Sequence, residues 1–336
     1  MKIFYFILLM FSINVYSQNW QLIWSDEFND QNINTNYWNF EIGNGNWGWG
    51  NNELQYYTSN SDNIFLADGY LNIVARNENY NGYNYTSARI KTQDKFDFKY
   101  GKIEARIKIP LGKGLWPAFW MLGSNISTIG WPSCGEIDIV EHVNNEPYVH
   151  GTIHYDMWGH NYEGGNVLTN PSEFHLYTLE WDEQQIKWYL DNEIYHTEDI
   201  HNNTVSREEF HEPFFILLNL AVGGNWPGSP DNSTNFPANY IIDYVRVYQK
   251  SNAISVISED EKIIYPNPTT DILNLKSTKH IKTYSIEDLC GQTICTKENL
   301  HGDNTQVNVS NLKSGTYLIK IKYDNEETSN NYFIKL

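Results

Sequence analysis

Three carboxylates fall within six positions of one short run, GEIDIVEHV (Gly135–Val143): Glu136, Asp138 and Glu141. Side chains alternate across a strand, so Glu136 and Asp138 share a face while Glu141 points to the other. A β-bulge between Asp138 and Glu141 restores the phase, with Ile139 and Val140 sharing one step, and all three acids then face one way. Glu136 and Glu141 would stand roughly 13 Å apart at Cα. Leaning together, their carboxyl groups would close to about 5–6 Å, the separation of a retaining rather than an inverting glycosidase. Like charges that close must separate in pKa. That suits one ionised nucleophile and one protonated acid, with Asp138 between them sharing a proton or hydrogen bond with either. A solvated strand face and a metal site are the competing readings of such a cluster.

The flanking sequence is aromatic. WPAFWM (Trp116–Met121) and GWP (Gly130–Pro132) lead into the acidic run, and GTIHYDMWGHN (Gly151–Asn161) follows it. NWGWGNNELQYYT (Asn46–Thr58) and NLAVGGNWPG (Asn219–Gly228) add more. Indole faces stack on the apolar faces of sugar rings, while Asn, Arg and His bind hydroxyls. Trp131, Trp158 and Trp226, bracketed by Gly, Pro and Asn, are candidate sugar platforms. Trp20, Trp38, Trp181 and Trp188 read as core filling.

The elements that must carry these residues are strands. KIEARIKIP (Lys102–Pro110) sets Ile103, Ala105, Ile107 and Ile109 on one face and charged residues on the other. YLNIVAR (Tyr70–Arg76), HLYTLEW (His175–Trp181), QIKWYLD (Gln185–Asp191) and YVRVYQ (Tyr244–Gln249) are similar short runs. Turn residues at Asp68-Gly69, Asp182-Glu183 and Asp191-Asn192 punctuate them. No long stretch keeps helical periodicity. The expected fold is all-β: two stacked antiparallel sheets, as a sandwich or jelly roll.

Composition breaks near residue 250. All twelve tryptophans lie between Trp20 and Trp226, and the net charge of −18 divides into −16 for residues 1–250 and −2 for the rest. So acidic a chain excludes a nucleic-acid partner, which needs clustered Lys and Arg, and suits a neutral substrate. MKIFYFILLMFSINVYSQ has a basic start, an apolar run and small residues before a cut near Gln18. It reads as a signal peptide, residues 1–17, too short to span a bilayer. SNAISVISEDEK (251–262) is polar enough for a linker. Of three cysteines, Cys134 reads as a buried thiol with no base partner. Cys290 and Cys295 flank a turn and either bridge across a hairpin or stay apart.

GEIDIVEHV resembles the active-site strand of glycoside hydrolase family 16, in the bulged form typical of its laminarinase-like, agarase and carrageenase branches. The resemblance runs over nearly all of residues 19–249. It includes LIWSDEF (Leu22–Phe28), GNNELQYYT (Gly50–Thr58), YTSARIKT (Tyr85–Thr92), LWPAFWMLG (Leu115–Gly123), PFFILLNLAVGGNWPG (Pro213–Gly228) and IIDYVRVYQ (Ile241–Gln249). It implies a jelly-roll sandwich with an open concave cleft and retaining endo-hydrolysis. Glu136 would be the nucleophile, Glu141 the acid/base and Asp138 the assisting acid. Asn51, Arg89, Trp116, Trp131, His154 and Asn219 match cleft residues that hold sugars. A core histidine and a structural ion pair are the alternatives for His154 and Arg89. Chemistry would need no cofactor. Many family members hold a structural calcium, for which Glu27, Gly69 and Asp243 occupy the matching places; salt bridging there is the alternative.

NLAVGGNWPG looks most like the β-1,3-glucanase branch, so the expected substrate is a laminarin-type glucan cut by a secreted monomer. Agarose or mixed-linkage glucan, or a non-catalytic glycan-binding role, are the alternatives. WGHNYEGG (Trp158–Gly165) departs from that branch. From Ile263 the chain resembles the sorting domain of type IX secretion substrates, through YPNPTTDILNL (Tyr265–Leu275), the segment around CGQTI (Cys290–Ile294), LKSGTYLIKI (Leu312–Ile321) and the terminal NYFIKL. A partnership with secretion machinery is implied. The expected layout is a catalytic domain over 18–250 and a small β domain over 263–336.

Overall fold

The computed structural model describes residues 20–201, 207–250, 264–288, 292–298, 302–324 and 327–336. The expected signal peptide, the expected linker and Cys290, with any bridge it makes, lie outside the described residues. The chain divides into two compact units, 1–251 and 252–336.

In the first unit two large sheets stack on a shared core. One is ten-stranded; through its middle run Gly101–Lys108, Ala238–Lys250 and Phe174–Trp181. The alternating run behaves as its pattern demands. Ile103, Ala105, Ile107 and Ile109 are all buried, and Glu104, on the outward side, pairs with Lys102. Asp68-Gly69 and Asp191-Asn192 close two-residue hairpins, with all four residues at positive φ as this tight turn requires.

The second sheet is eight-stranded. Its path runs His160–Leu168, Tyr148–Asp156, Glu136–Glu141, Leu115–Gly123, Phe214–Val222, Arg89–Lys91 and Asn39–Phe40. One face meets the core through Phe119, Met121, Ile137, Val149, Ile153, Leu218 and Leu220. The other carries Trp116, Ala118, Trp120, Thr152, His154, Asn219 and Ala221 into a cleft. Period-two alternation sorts the two sets. Trp38, Trp181 and Trp188 are buried in the core, whereas Trp20 is only half-buried at the chain's first described strand, beneath the Lys250 ammonium.

The second unit is one six-stranded antiparallel sheet built on the long strand Ile272–Glu287. Its own small core holds Leu273, Leu275, Ile286, Ile319, Ile321 and Phe333. No helix among the described residues is long and apolar enough to cross a membrane.

Candidate active site

The acidic strand carries the bulge. Against Tyr148–Asp156, Asp138 faces Thr152 and Glu141 faces His150, so Ile139 and Val140 stand opposite Gly151 alone. Against Leu115–Gly123 the register breaks at the same point: Val140 faces Phe119 and Asp138 faces Trp120. Both bulge residues, Ile139 and Val140, turn into the core. Glu136, Asp138 and Glu141 therefore line one cleft of about 680 Å³.

Each carboxyl group has its own holder. Trp131 Nε1 donates to Glu136 Oε2 and Trp116 Nε1 to Glu141 Oε1, both at 2.9 Å. His154 Nε2 lies 3.2 Å from Asp138 Oδ2 and 3.8 Å from Glu136 Oε1, and the His154 Nδ1 edge meets His160 Nε2 at 2.8 Å. Burial pushes all three acids up to about 8; the neighbouring Asp138 charge adds to the rise at Glu136 and at Glu141, while a hydrogen bond with Glu136 tempers Asp138. Near neutral pH such a trio holds protons and negative charge together, which a nucleophile paired with an acid requires. Cys134, buried just before the strand among Leu122, Phe215 and Leu217, is raised to about 11 by burial and by the Glu136 charge, and stays a thiol.

The other cleft residues come from separate strands. Asn219 Oδ1 accepts from Trp120 Nε1 at 2.7 Å on the floor. Arg89 lines the cleft and is also ion-paired. Its Nε lies 2.9 Å from Glu41 Oε2, and its guanidinium sits between the rings of Trp49 and Trp120. Asn51 lines the cleft, and its carbonyl takes Asn225 N. Trp226 meets Trp116 edge-on at 5.6 Å and His150 at 4.9 Å. Trp158 departs from expectation. It is 99% exposed at the turn between Tyr148–Asp156 and His160–Leu168, outside the cleft lining. Trp49, Glu53, Trp120, His160 and Tyr162 line the cleft without having been singled out. Trp120 was within reach, because Trp116, Ala118 and Trp120 share one face of a single strand.

Glu27, Gly69 and Asp243 do not form a ready calcium cage. Both Glu27 oxygens accept from Arg246, at 2.8 and 2.7 Å, and Asp243 Oδ2 accepts from Arg106 at 2.6 Å. With each carboxylate already held by a guanidinium, this donor set does not fit a hard cation, which takes six or more oxygens.

A stacked β-sheet scaffold with a bulged strand presenting three acids into an aromatic cleft defines a jelly-roll glycosidase. The chain belongs to the glycosyl hydrolases family 16, whose model matches residues 29–246. It is 40% identical over 250 residues to a beta-glucanase of Rhodothermus marinus, an alignment covering 69% of this chain and 86% of that one. It is 44% identical over 243 residues to the clotting factor G alpha subunit of Tachypleus tridentatus, covering 71% of this chain and 36% of that protein. The laminarinase catalytic domain of Thermotoga maritima superposes with a TM-score of 0.62 at 45% identity, over 70% of this chain and all of that one. Residues 263–335 match the secretion system C-terminal sorting domain, which marks the chain for export, to the medium or the cell surface.

Proposed function

We propose that the chain is an exported, retaining endo-β-1,3-glucanase that works as a monomer on a neutral, laminarin-type glucan. The observation that carries this reading is the bulge, which turns Glu141 into the same cleft as Glu136 and Asp138.

Glu136 attacks the anomeric carbon as a carboxylate. An ester bond forms, the glycosidic C–O bond breaks, and Glu141 gives its proton to the departing oxygen. Glu141, now a carboxylate, takes a proton from water; that water attacks the anomeric carbon, the ester breaks and Glu136 is restored. Asp138 shares a hydrogen bond with Glu136. It limits the charge on the nucleophile before attack and takes up the freed proton-sharing role once the ester has formed. Trp131, Trp116 and Trp226 offer indole surface around these atoms. Among the described residues, Arg89 is the one arginine or lysine lining the cleft, and Glu41 answers its charge. That balance favours an uncharged polymer over a sulfated one. The beta-glucanase and laminarinase relatives support the β-1,3 linkage, and the complete acid pair supports turnover over binding alone. Export would begin with the segment 1–17 and finish through the C-terminal unit.

The test is a substrate panel of laminarin, lichenan, agarose and carrageenan, with products sized and anomeric configuration followed by proton NMR. Laminarin should be cut fastest, into oligosaccharides whose new reducing ends first appear as the β anomer. First-formed α anomer would refute retention, and faster cleavage of agarose or lichenan would refute the substrate.

A further inference from the structure

A bulge breaks the ladder and leaves backbone groups in need of another partner. In this chain the partner comes from the opposite sheet. Trp188, fully buried in the strand Gln185–Leu190, donates its indole Nε1 to the carbonyl oxygen of Asp138 at 2.8 Å, at the residue where the register slips. Gly151, the one residue facing both Ile139 and Val140, makes room for that ring. A Cβ there would stand 2.3 Å from Trp188 Cδ1 and 2.6 Å from Nε1. Gly151 is not among the glycines at positive φ, so space rather than backbone conformation calls for glycine at this step.

We propose that Trp188, with the gap left by Gly151, is the positioning element that locks the bulge and thereby sets the spacing of Glu136, Asp138 and Glu141. Trp188 touches no substrate and acts through the Asp138 carbonyl. This rests on the acid roles proposed above. A buried tryptophan that only fills space would be replaceable by another large ring at a cost in stability alone. The lock makes a different demand, for an N–H at one point. Without it the Asp138 carbonyl loses its bond from the opposite sheet, and the register slip beside it is free to slide. Sliding by one residue turns Glu141 away from the cleft.

The experiment uses the full chain, Trp188→Phe and Gly151→Ala. The first keeps an aromatic ring and removes the N–H; the second keeps the indole and crowds it. In folded variants kcat on laminarin should fall at least tenfold with KM within twofold, and the pH–rate limbs should move. Carboxyl ¹³C NMR titration supplies a readout that needs no turnover: the midpoints of the three cleft acids should shift while that of Glu27 stays put. Should Trp188→Phe fail to fold, Gly151→Ala is read by the same criteria. Lowered thermal stability with unchanged kcat, pH limbs and cleft-acid midpoints would overturn the lock. If the wild type leaves laminarin uncut, the proposed activity fails, while the titration still decides the lock.

Discussion

The molecule holds carboxylates in two contrasting ways. Inside the cleft, Glu136, Asp138 and Glu141 sit together, with indole N–H groups and one histidine for company, and burial lifts all three to about 8. Beside the strand Ala238–Lys250, in the other sheet, Glu27 and Asp243 each face a guanidinium. The hydrogen bonds from Arg246 hold Glu27 below its usual range. The same chemical group is therefore kept charged in one region and kept reluctant to charge in the other. What differs is burial and the partner: hydrogen bonds from an arginine outweigh burial at Glu27, whereas in the cleft burial outweighs the hydrogen bonds from the indoles. The cleft spends stability to hold acids that can exchange a proton, a trade expected where strained electrostatics serve chemistry.

Variants can break this contrast. The largest effect should follow Glu136→Gln, which removes the nucleophile. Reducing-end release from laminarin should fall by roughly 10³-fold or more, and retention of wild-type rate would refute its role. Glu141→Gln should cost about 10²–10⁴-fold on laminarin. Much of that loss should return on an aryl glucoside whose leaving group needs no proton; equal losses on both substrates would argue against an acid.

Asp138→Asn should lower kcat less, and its stability profile is more telling. Because folding raises the pKa of Asp138, its favourable contribution is complete below about pH 4 and drains away as pH rises toward 8. The asparagine variant should match the wild type near pH 4 and melt several degrees higher at pH 8, at about 2–4 °C per kcal/mol. Calorimetry at the two pH values checks this; a lower melting point at pH 8 would contradict it. Arg246→Ala should have the smallest effect. Glu27 has its pKa lowered by folding, so its contribution is present above the usual glutamate range and lost as pH falls through the folded value. The pair is about one-third exposed and worth ~0–1 kcal/mol. Melting should drop slightly at neutral pH, converge with wild type in acid, and leave kcat alone.

Much of the site could be read from the chain because one glutamate was out of step. Alternation in GEIDIVEHV is perfect up to Ile139, so the misplaced Glu141 itself announces the bulge. Asp68-Gly69 and the KIEARIKIP face were legible for the same local reason. Residues whose neighbours are set by strand order were not. Glu53 enters the cleft from a tight turn after Trp49, and His160 arrives by pairing of Tyr148–Asp156 with His160–Leu168. Trp158 misled because flanking glycine and asparagine signal exposure, and exposure alone does not say toward what. Trp188 was legible as core, but the particular carbonyl it serves lies fifty residues away in the other sheet.

The arrangement at Gly151 has a consequence for how such chains diverge. Two apolar side chains, Ile139 and Val140, enter the interior where strict alternation would send one, and the facing strand offers no side chain at all. Strand length at this point and residue size at 151 are thus two entries in one volume balance. A descendant that lost a single residue here would still aim its acids correctly, yet would inherit a hole beside Trp188. Natural variants shortened at 139–140 should therefore carry a bulkier residue at the place of Gly151, a smaller one where Trp188 stands, or both.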